Sequence, residues 1–331
     1  MPSLVATSRV TVFKTARSLL DAYGKDLKAC AGPANIILPI AEKACYANDG
    51  RNTWLIYKKS EISSPLLILS CTQGDMGAYP IFIFTPLSIA ELQHEDIDGA
   101  VRELCQTLLG AVERKRVYSV FAVKPVAETF ATVWSEVSGV AAIPEPYYDA
   151  TFSYCTKSSI TRSHSYRPDL VFELRRGQYE DIEGIAMLCR DFSRTSEPFV
   201  LDLDEAHREA QILVEKQQVW VHTVQRGDAP PEIASLVAVT RSAGDSAAIT
   251  KVFTSNKWRQ LGCAERLVRR VCNQLLREKE RVVLYVGNNN PAAKVYGRVG
   301  FKGLGGSTPV EGVEPWSEIG FDRNQVELGQ W

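Results

Sequence analysis

Apolar residues recur along this chain in two rhythms. In one they form short, nearly unbroken runs, as at 54–58, 66–71, 79–85 and 116–123, which is how buried strands read. In the other they return every three or four positions, as at Ile97, Val101, Leu104, Cys105, Leu108 and Leu109, the spacing of one helix face. In chain order the two rhythms predict helices at 18–28 and 35–46, strands at 54–58, 66–71 and 79–85, and a helix at 97–112. A strand at 116–123, a helix at 126–137 stopped by Gly139, and an extended stretch from Pro144 to about Tyr154 follow. Residues 156–168 (TKSSITRSHSYRP) hold almost no core-forming side chain and read as a linker. Beyond it come a strand at 171–175, helices at 178–192 and 203–216, the second capped by Asp202 or Asp204, and strands at 219–224 and 233–240. A central strand at 249–254, a helix with Ala264, Leu267, Val268, Val271 and Leu275 on one face, a strand at 282–286 and a last helix ended by Gly300 complete the reading.

The two halves share an order. A strand ending Phe84-Thr85 leads to a long helix, a strand and a second helix; a strand ending Phe253-Thr254 does the same. We read this as an internal repeat, a duplicated α/β (α+β) fold with domains at 1–155 and 169–331 joined by the linker.

Composition narrows the class. The 331 residues are 45% hydrophobic and 23% charged with a formal charge of −1, ordinary for a globular chain. Without a basic excess or stripe, neither nucleic acid nor a membrane surface is an expected partner. No apolar run reaches membrane-spanning length. The N-terminus lacks a secretory pattern, though three basic residues and no acid among the first twenty leave a mitochondrial address open beside the expected cytoplasmic one. Eight cysteines without a CxxC pair read as reduced, buried thiols, and four histidines without ligand spacing give no metal site.

The chemistry concentrates at 249–301. Arg259-Gln260-Leu261-Gly262-Cys263-Ala264 stands between a strand and an amphipathic helix. The first N–H groups of a helix lack internal partners and sit at the positive end of its dipole, so they can hold a pyrophosphate. Gly262 lets backbone approach closely, and Arg259 adds positive charge. Downstream, Asn289-Asn290-Pro291-Ala292 suits a helix start, with Tyr296 about two turns inside.

The two motifs, V-F-T-x-x-x-x-R-x-x-G-x-A from Val252 to Ala264 and N-x-x-A-x-x-x-Y-x-x-x-G-F from Asn289 to Phe301, resemble those of the GNAT superfamily of N-acetyltransferases. The resemblance covers roughly 171–321. It implies a mixed, mostly antiparallel sheet flanked by helices, with the strand ending at Thr254 splaying from its neighbour at 282–286. It also implies acetyl-CoA as cosubstrate, its pantetheine in that gap along Val252, Phe253 and Thr254 and its pyrophosphate on backbone N–H groups from Gln260 to Ala264. Arg259, Asn289 and Ala292 complete the expected cofactor set, and Tyr296 matches the family tyrosine that protonates the departing thiolate. Gln260, Leu261 and Cys263 depart from the family's usual glycines and lysine. Cys263 reads as a small filler rather than a nucleophile, since backbone donors do not depend on it.

Transfer to an amine needs a proton acceptor. Glu197, Asp202, Asp204, Glu205 and Glu318 are the carboxylates to consider, with Glu197 and Glu318 the leading pair; loop acids of this kind more often cap helices or face solvent. The first half has acids (Asp96, Asp98) at its corresponding helix start and no counterpart of Arg259 or Tyr296. We therefore expect there a degenerate GNAT-like domain without a cofactor site. The expected function is acetyl-CoA-dependent N-acetyl transfer to a small-molecule or peptide amine. The alternative is an inactive acyl-CoA-binding or scaffold protein.

Overall fold

The computed structural model describes residues 9–47, 51–162, 171–306 and 308–330; positions 163–168 of the expected linker lie outside them. In chain order the elements are β1 (Val10–Phe13), α1 (Ala16–Ala29), α2 (Leu38–Ala47), β2 (Thr53–Tyr57), β3 (Leu67–Cys71), β4 (Ile81–Phe84), α3 (Ile89–Leu92), α4 (Ile97–Ala111), β5 (Ser119–Val123), α5 (Lys124–Ser138) and β6 (Tyr148–Thr156). Then come β7 (Val171–Arg176), α6 (Ile182–Ser193), α7 (Leu203–Glu215), β8 (Val219–Gln225), β9 (Glu232–Ala238), β10 (Arg241–Ala243), β11 (Ser246–Ala248), β12 (Lys251–Thr254), α8 (Cys263–Leu275), β13 (Arg281–Gly287), α9 (Ala292–Val299) and β14 (Glu314–Gly320). One order of elements is thus written twice, apart from the short α3 and the β10–β11 hairpin. It runs strand, two helices, three strands, helix, strand, helix, strand.

The chain forms two compact units, 1–149 with 314–331, and 150–313. The sheet of the first runs β1-β2-β3-β4-β5-β14. All its pairings are antiparallel except β4 with β5. A parallel pair needs a long crossover, and α4 supplies it, burying Ala100, Val101, Leu104, Cys105 and Leu108. Strands β2 to β5 are buried at every position, which is why their sequences are unbroken apolar runs.

The second unit has two sheets. In one, β12-β9-β8-β7 is antiparallel throughout. In the other, β13 pairs parallel with β11 and antiparallel with β6, and β10 pairs with β11. The expected single strand at 249–254 is divided between them. Ile249 N–H donates to Val283 O at 2.9 Å, and the next residue, Thr250, donates to Ala238 O at 2.9 Å. From that point β12 and β13 diverge. The hairpin of β10 and β11 escaped the sequence reading because RSAGDSAA is built of small and polar residues with little strand preference.

The compact units do not break where the sequence reading put the domain boundaries. Residues 150–156, expected to end the first domain, pair with 281–287 in the second unit. Residues 316–320, expected in the second, pair with 119–123 in the first. Apolar alternation marks a strand but does not name its partner, so sequence order alone placed each in the other unit. The described start of the linker is also fixed: Thr161 N–H donates to Val299 O at 3.0 Å, and Arg269 Nε donates to Thr161 O at 3.0 Å.

Candidate active site

Strand β12 is the edge of its sheet, with β9 on one side. Ser255 N–H donates to Ala234 O at 2.9 Å, so the ladder's alternation turns the backbone groups of 253 toward β9 and those of Val252 and Thr254 toward the open side. The open side is where β13 has diverged. Ser235 Oγ holds the other side by donating to Phe253 O at 2.8 Å and sharing a 2.9 Å bond with Thr254 Oγ1.

The chain leaves β12 through a short turn anchored by buried Trp258, whose Nε1 donates to Glu232 at 3.2 Å. Arg259 follows in extended conformation (φ −67°, ψ 161°). Gln260 (φ 61°) and Gly262 (φ 74°) are both left-handed. A non-glycine residue held there costs about 1 kcal/mol, so Gln260 is imposed by its surroundings. Gly262 is the N-cap of α8 and offers no side-chain cap. Among the described residues nothing accepts from the N–H groups of Gln260, Leu261, Gly262 or Ala264. Four donors thus lie in one loop at the positive end of a 13-residue helix. Arg259 is exposed, its guanidinium 5.6 Å from the Phe253 ring centroid and its Nε 3.4 Å from Thr254 O. Glu265, an acid in the first turn, would oppose an anion. Burial pushes its pKa up, but bonds from Arg298 Nε (2.7 Å) and Arg269 (3.1 Å) outweigh that and hold it below the ordinary value.

Cys263 is buried against Val224, Ala234 and Trp258, the position of a filler. Behind the loop stands a residue that the sequence reading missed. Arg266 is 7% exposed. Its Nη2 donates to Leu261 O at 2.7 Å, its Nε donates to His222 Nε2 at 3.3 Å, and its guanidinium lies 4.8 Å from the Phe172 ring centroid. His222 is fully buried, and burial followed by the charge of Arg266 pushes its pKa down to about 4.

Helix α9 begins as expected, with Pro291 in the N-cap position; the preceding Asn290 bonds into its first turn, Asn290 Oδ1 accepting from Ala292 N–H at 2.9 Å, while Asn289 is exposed. Tyr296, 8% exposed, packs edge-on against Phe301 at 5.9 Å in the core that contains Leu267, Val271, Val282 and Leu284.

The carboxylates separate. Glu197 is exposed on the loop between α6 and α7. Asp202 and Glu205 form a capping box, Asp202 Oδ1 accepting from Glu205 N–H at 2.8 Å and Glu205 Oε2 from Asp202 N–H at 3.0 Å. Asp204 is exposed in the same first turn. Glu318 lies on β14, inside the first unit, 2% exposed, with Ser119 Oγ donating to it at 2.7 Å. It is a core residue of the first unit. A further acid, Glu209 on α7, is bound through both oxygens to Lys251 Nζ at 2.5 and 2.6 Å. Among the described residues there is no cluster of metal-ligating side chains, and no helix is long and apolar enough to cross a membrane.

In the first unit the corresponding helix start carries acids. Asp96 caps α4, its Oδ1 accepting from Gly99 N–H at 3.0 Å, and Asp98 follows in the first turn. These acids, with Ile89, Leu92, Pro125 and Thr129, line a cleft of about 430 Å³.

Residues 187–315 match the family model of the acetyltransferase (GNAT) domain, so the second unit carries a domain of that family. Among solved structures, a Drosophila protein aligns over 96% of this chain and 100% of its own at 14% identity and a TM-score of 0.58. A GCN5-related N-acetyltransferase from Sphaerobacter thermophilus aligns over 98% of this chain and 99% of its own at 13% identity and a TM-score of 0.53. At such identity the likeness is one of fold, and it extends over both units. By sequence, no curated protein matches.

Proposed function

We propose that the chain is an acetyl-CoA-dependent N-acetyltransferase acting on a small-molecule or peptide amine. The observation that carries this is the loop at 259–264, four unpartnered N–H groups at the start of α8 beside a strand that splays from β13. The residues fit the group. The pyrophosphate lies on the N–H groups of Gln260, Leu261, Gly262 and Ala264, with Arg259 beside it. The pantetheine follows the open edge at Val252 and Thr254, where an extended amide chain finds the strand's outward-facing N–H and C=O groups, Thr254 O being shared with Arg259 Nε.

The reaction is direct attack. The amine nitrogen bonds to the thioester carbonyl carbon, and the oxyanion takes a backbone N–H of β12. The C–S bond then breaks as the thiolate leaves. Tyr296 supplies the proton that makes it a thiol, and the ammonium proton passes to water or a carboxylate, of which exposed Glu197 is the one we retain in this role. We place the cofactor in the second unit alone; in the first, the carboxylate of Asp96 already occupies the helix start.

The test is calorimetric titration of acetyl-CoA into the protein, followed by a screen for CoA release across amine classes. Binding with release supports the enzyme. Binding with no release from any amine supports an inactive acyl-CoA-binding protein, and no binding refutes both.

A further inference from the structure

Beneath the phosphate loop lies a cation without a counter-charge. Among the described residues no carboxylate is within ion-pair distance of Arg266, although its side chain is more than nine-tenths buried. Its partners are the Leu261 carbonyl, the Cys263 sulfur at 3.8 Å, a neutral imidazole and an aromatic face. Its third nitrogen, Nη1, is buried with no hydrogen-bond partner. That nitrogen points at the loop, where a Cβ added to Gly262 would lie 3.0 Å from it. A buried, unpaired guanidinium is costly and persists where something else is gained.

We propose that Arg266 is a positioning residue for the pyrophosphate of the acyl-CoA, and that the ligand's phosphates supply its missing counter-charge. This rests on the reading of 259–264 as the phosphate loop. The geometry follows from the peptide bond. In a trans peptide the C=O and the following N–H point in opposite directions. Arg266 Nη2 draws Leu261 O inward at 2.7 Å, so the N–H of Gly262, in the same peptide plane, faces outward. The left-handed Gly262 and Gln260 are the backbone's response to that constraint. His222 completes the device: its Nε2 accepts from Arg266 Nε, which requires a neutral ring and fixes the guanidinium plane. The fixed cation then adds its field to that of the helix terminus, in an interior where charge is weakly screened. Loss of a charge-assisted bond of this kind changes affinity about tenfold or more.

The experiment compares two ligands that differ in the pyrophosphate. Acetyl-CoA is titrated by calorimetry and acetyl-pantetheine by NMR, with the native protein, Arg266→Met and Arg266→Lys. The expected result for Arg266→Met is a loss of about tenfold or more in acetyl-CoA affinity with acetyl-pantetheine affinity unchanged. Arg266→Lys, which keeps a charge but lacks the fork, should fold and show the same selective loss to a smaller degree; it carries the test if the methionine variant does not fold. Unchanged acetyl-CoA affinity in these variants overturns the assignment, as does an equal loss for both ligands, which marks a general collapse of the site. Failure of the native protein to bind acetyl-CoA is a separate result, and overturns the functional reading together with this one.

Discussion

Single residues decide whether the loop is a phosphate site. Gly262 at φ 74°, with Arg266 Nη1 3.0 Å from where a Cβ would stand, disfavours a side chain, and a carboxylate there would take the place of the phosphate. Gly262→Asp should abolish detectable acetyl-CoA binding in the titration while the far-UV spectrum stays native; retained affinity would misplace the cradle. Tyr296→Phe should lower kcat about a hundredfold or more with acetyl-CoA affinity nearly unchanged, and an unchanged kcat removes the tyrosine from the role of acid. His222 gives a pH signature. Its folded pKa is depressed from 6.5 to about 4 by burial and Arg266. The unfolded chain therefore takes up a proton that the folded protein refuses as pH falls through that window. Stability is intact above 6.5 and is lost progressively toward 4, by about 3 kcal/mol at most. Urea unfolding at pH 7 and pH 5 should show the difference, and His222→Phe should flatten it. Legibility differed residue by residue. Arg259, Gly262 and Ala264 were readable because strand, turn and helix signals bracket them. Arg266 was not, because it falls off the apolar face of α8 and its burial is created by Phe172 and His222 on other strands.

At the scale of elements, helix positions were read well where a face repeats and a cap stands at the boundary. Asp202 is such a cap, expected from sequence and found with Glu205 in a reciprocal box. Asp202→Ala should cost about 1 kcal/mol of stability, read in the urea midpoint, and leave acetyl-CoA affinity unchanged; a large loss of affinity or turnover would return Asp202 to the list of acids that act on substrate. Strands were read less well. The stretch 249–254 looks continuous in sequence, yet its backbone changes partner between Ile249 and Thr250. That change opens the edge of β12, and no property of the side chains there announces it, because residues on both sides of it are buried or half-buried.

For the whole molecule, the repeat visible in the order of elements is real, but its boundary is not a cut in the sequence. Residues 150–156 complete the sheet of the second unit and 316–320 that of the first. A fragment of 169–331 therefore leaves Val282, Leu284 and Val286 on β13 without their neighbouring strand, and should fail to unfold cooperatively in urea. A cooperative transition equal to that of the full chain would contradict the exchange. Sequence missed it because the period of a strand states which side chains turn inward, not which strand lies beside them. For the same reason Glu318, expected on the last strand of the second domain, lies in the core of the first unit.

The two units also differ in the claim on which the account turns. One helix start presents open N–H groups beside Arg259, the other carries Asp98 and Asp96, whose carboxylate accepts from Gly99 N–H. Calorimetric titration of acetyl-CoA into the full chain measures this directly through its stoichiometry. The account predicts one molecule bound per chain, lost in Gly262→Asp and retained in Asp96→Ala. No binding, two molecules per chain, or a single site that survives Gly262→Asp would contradict it.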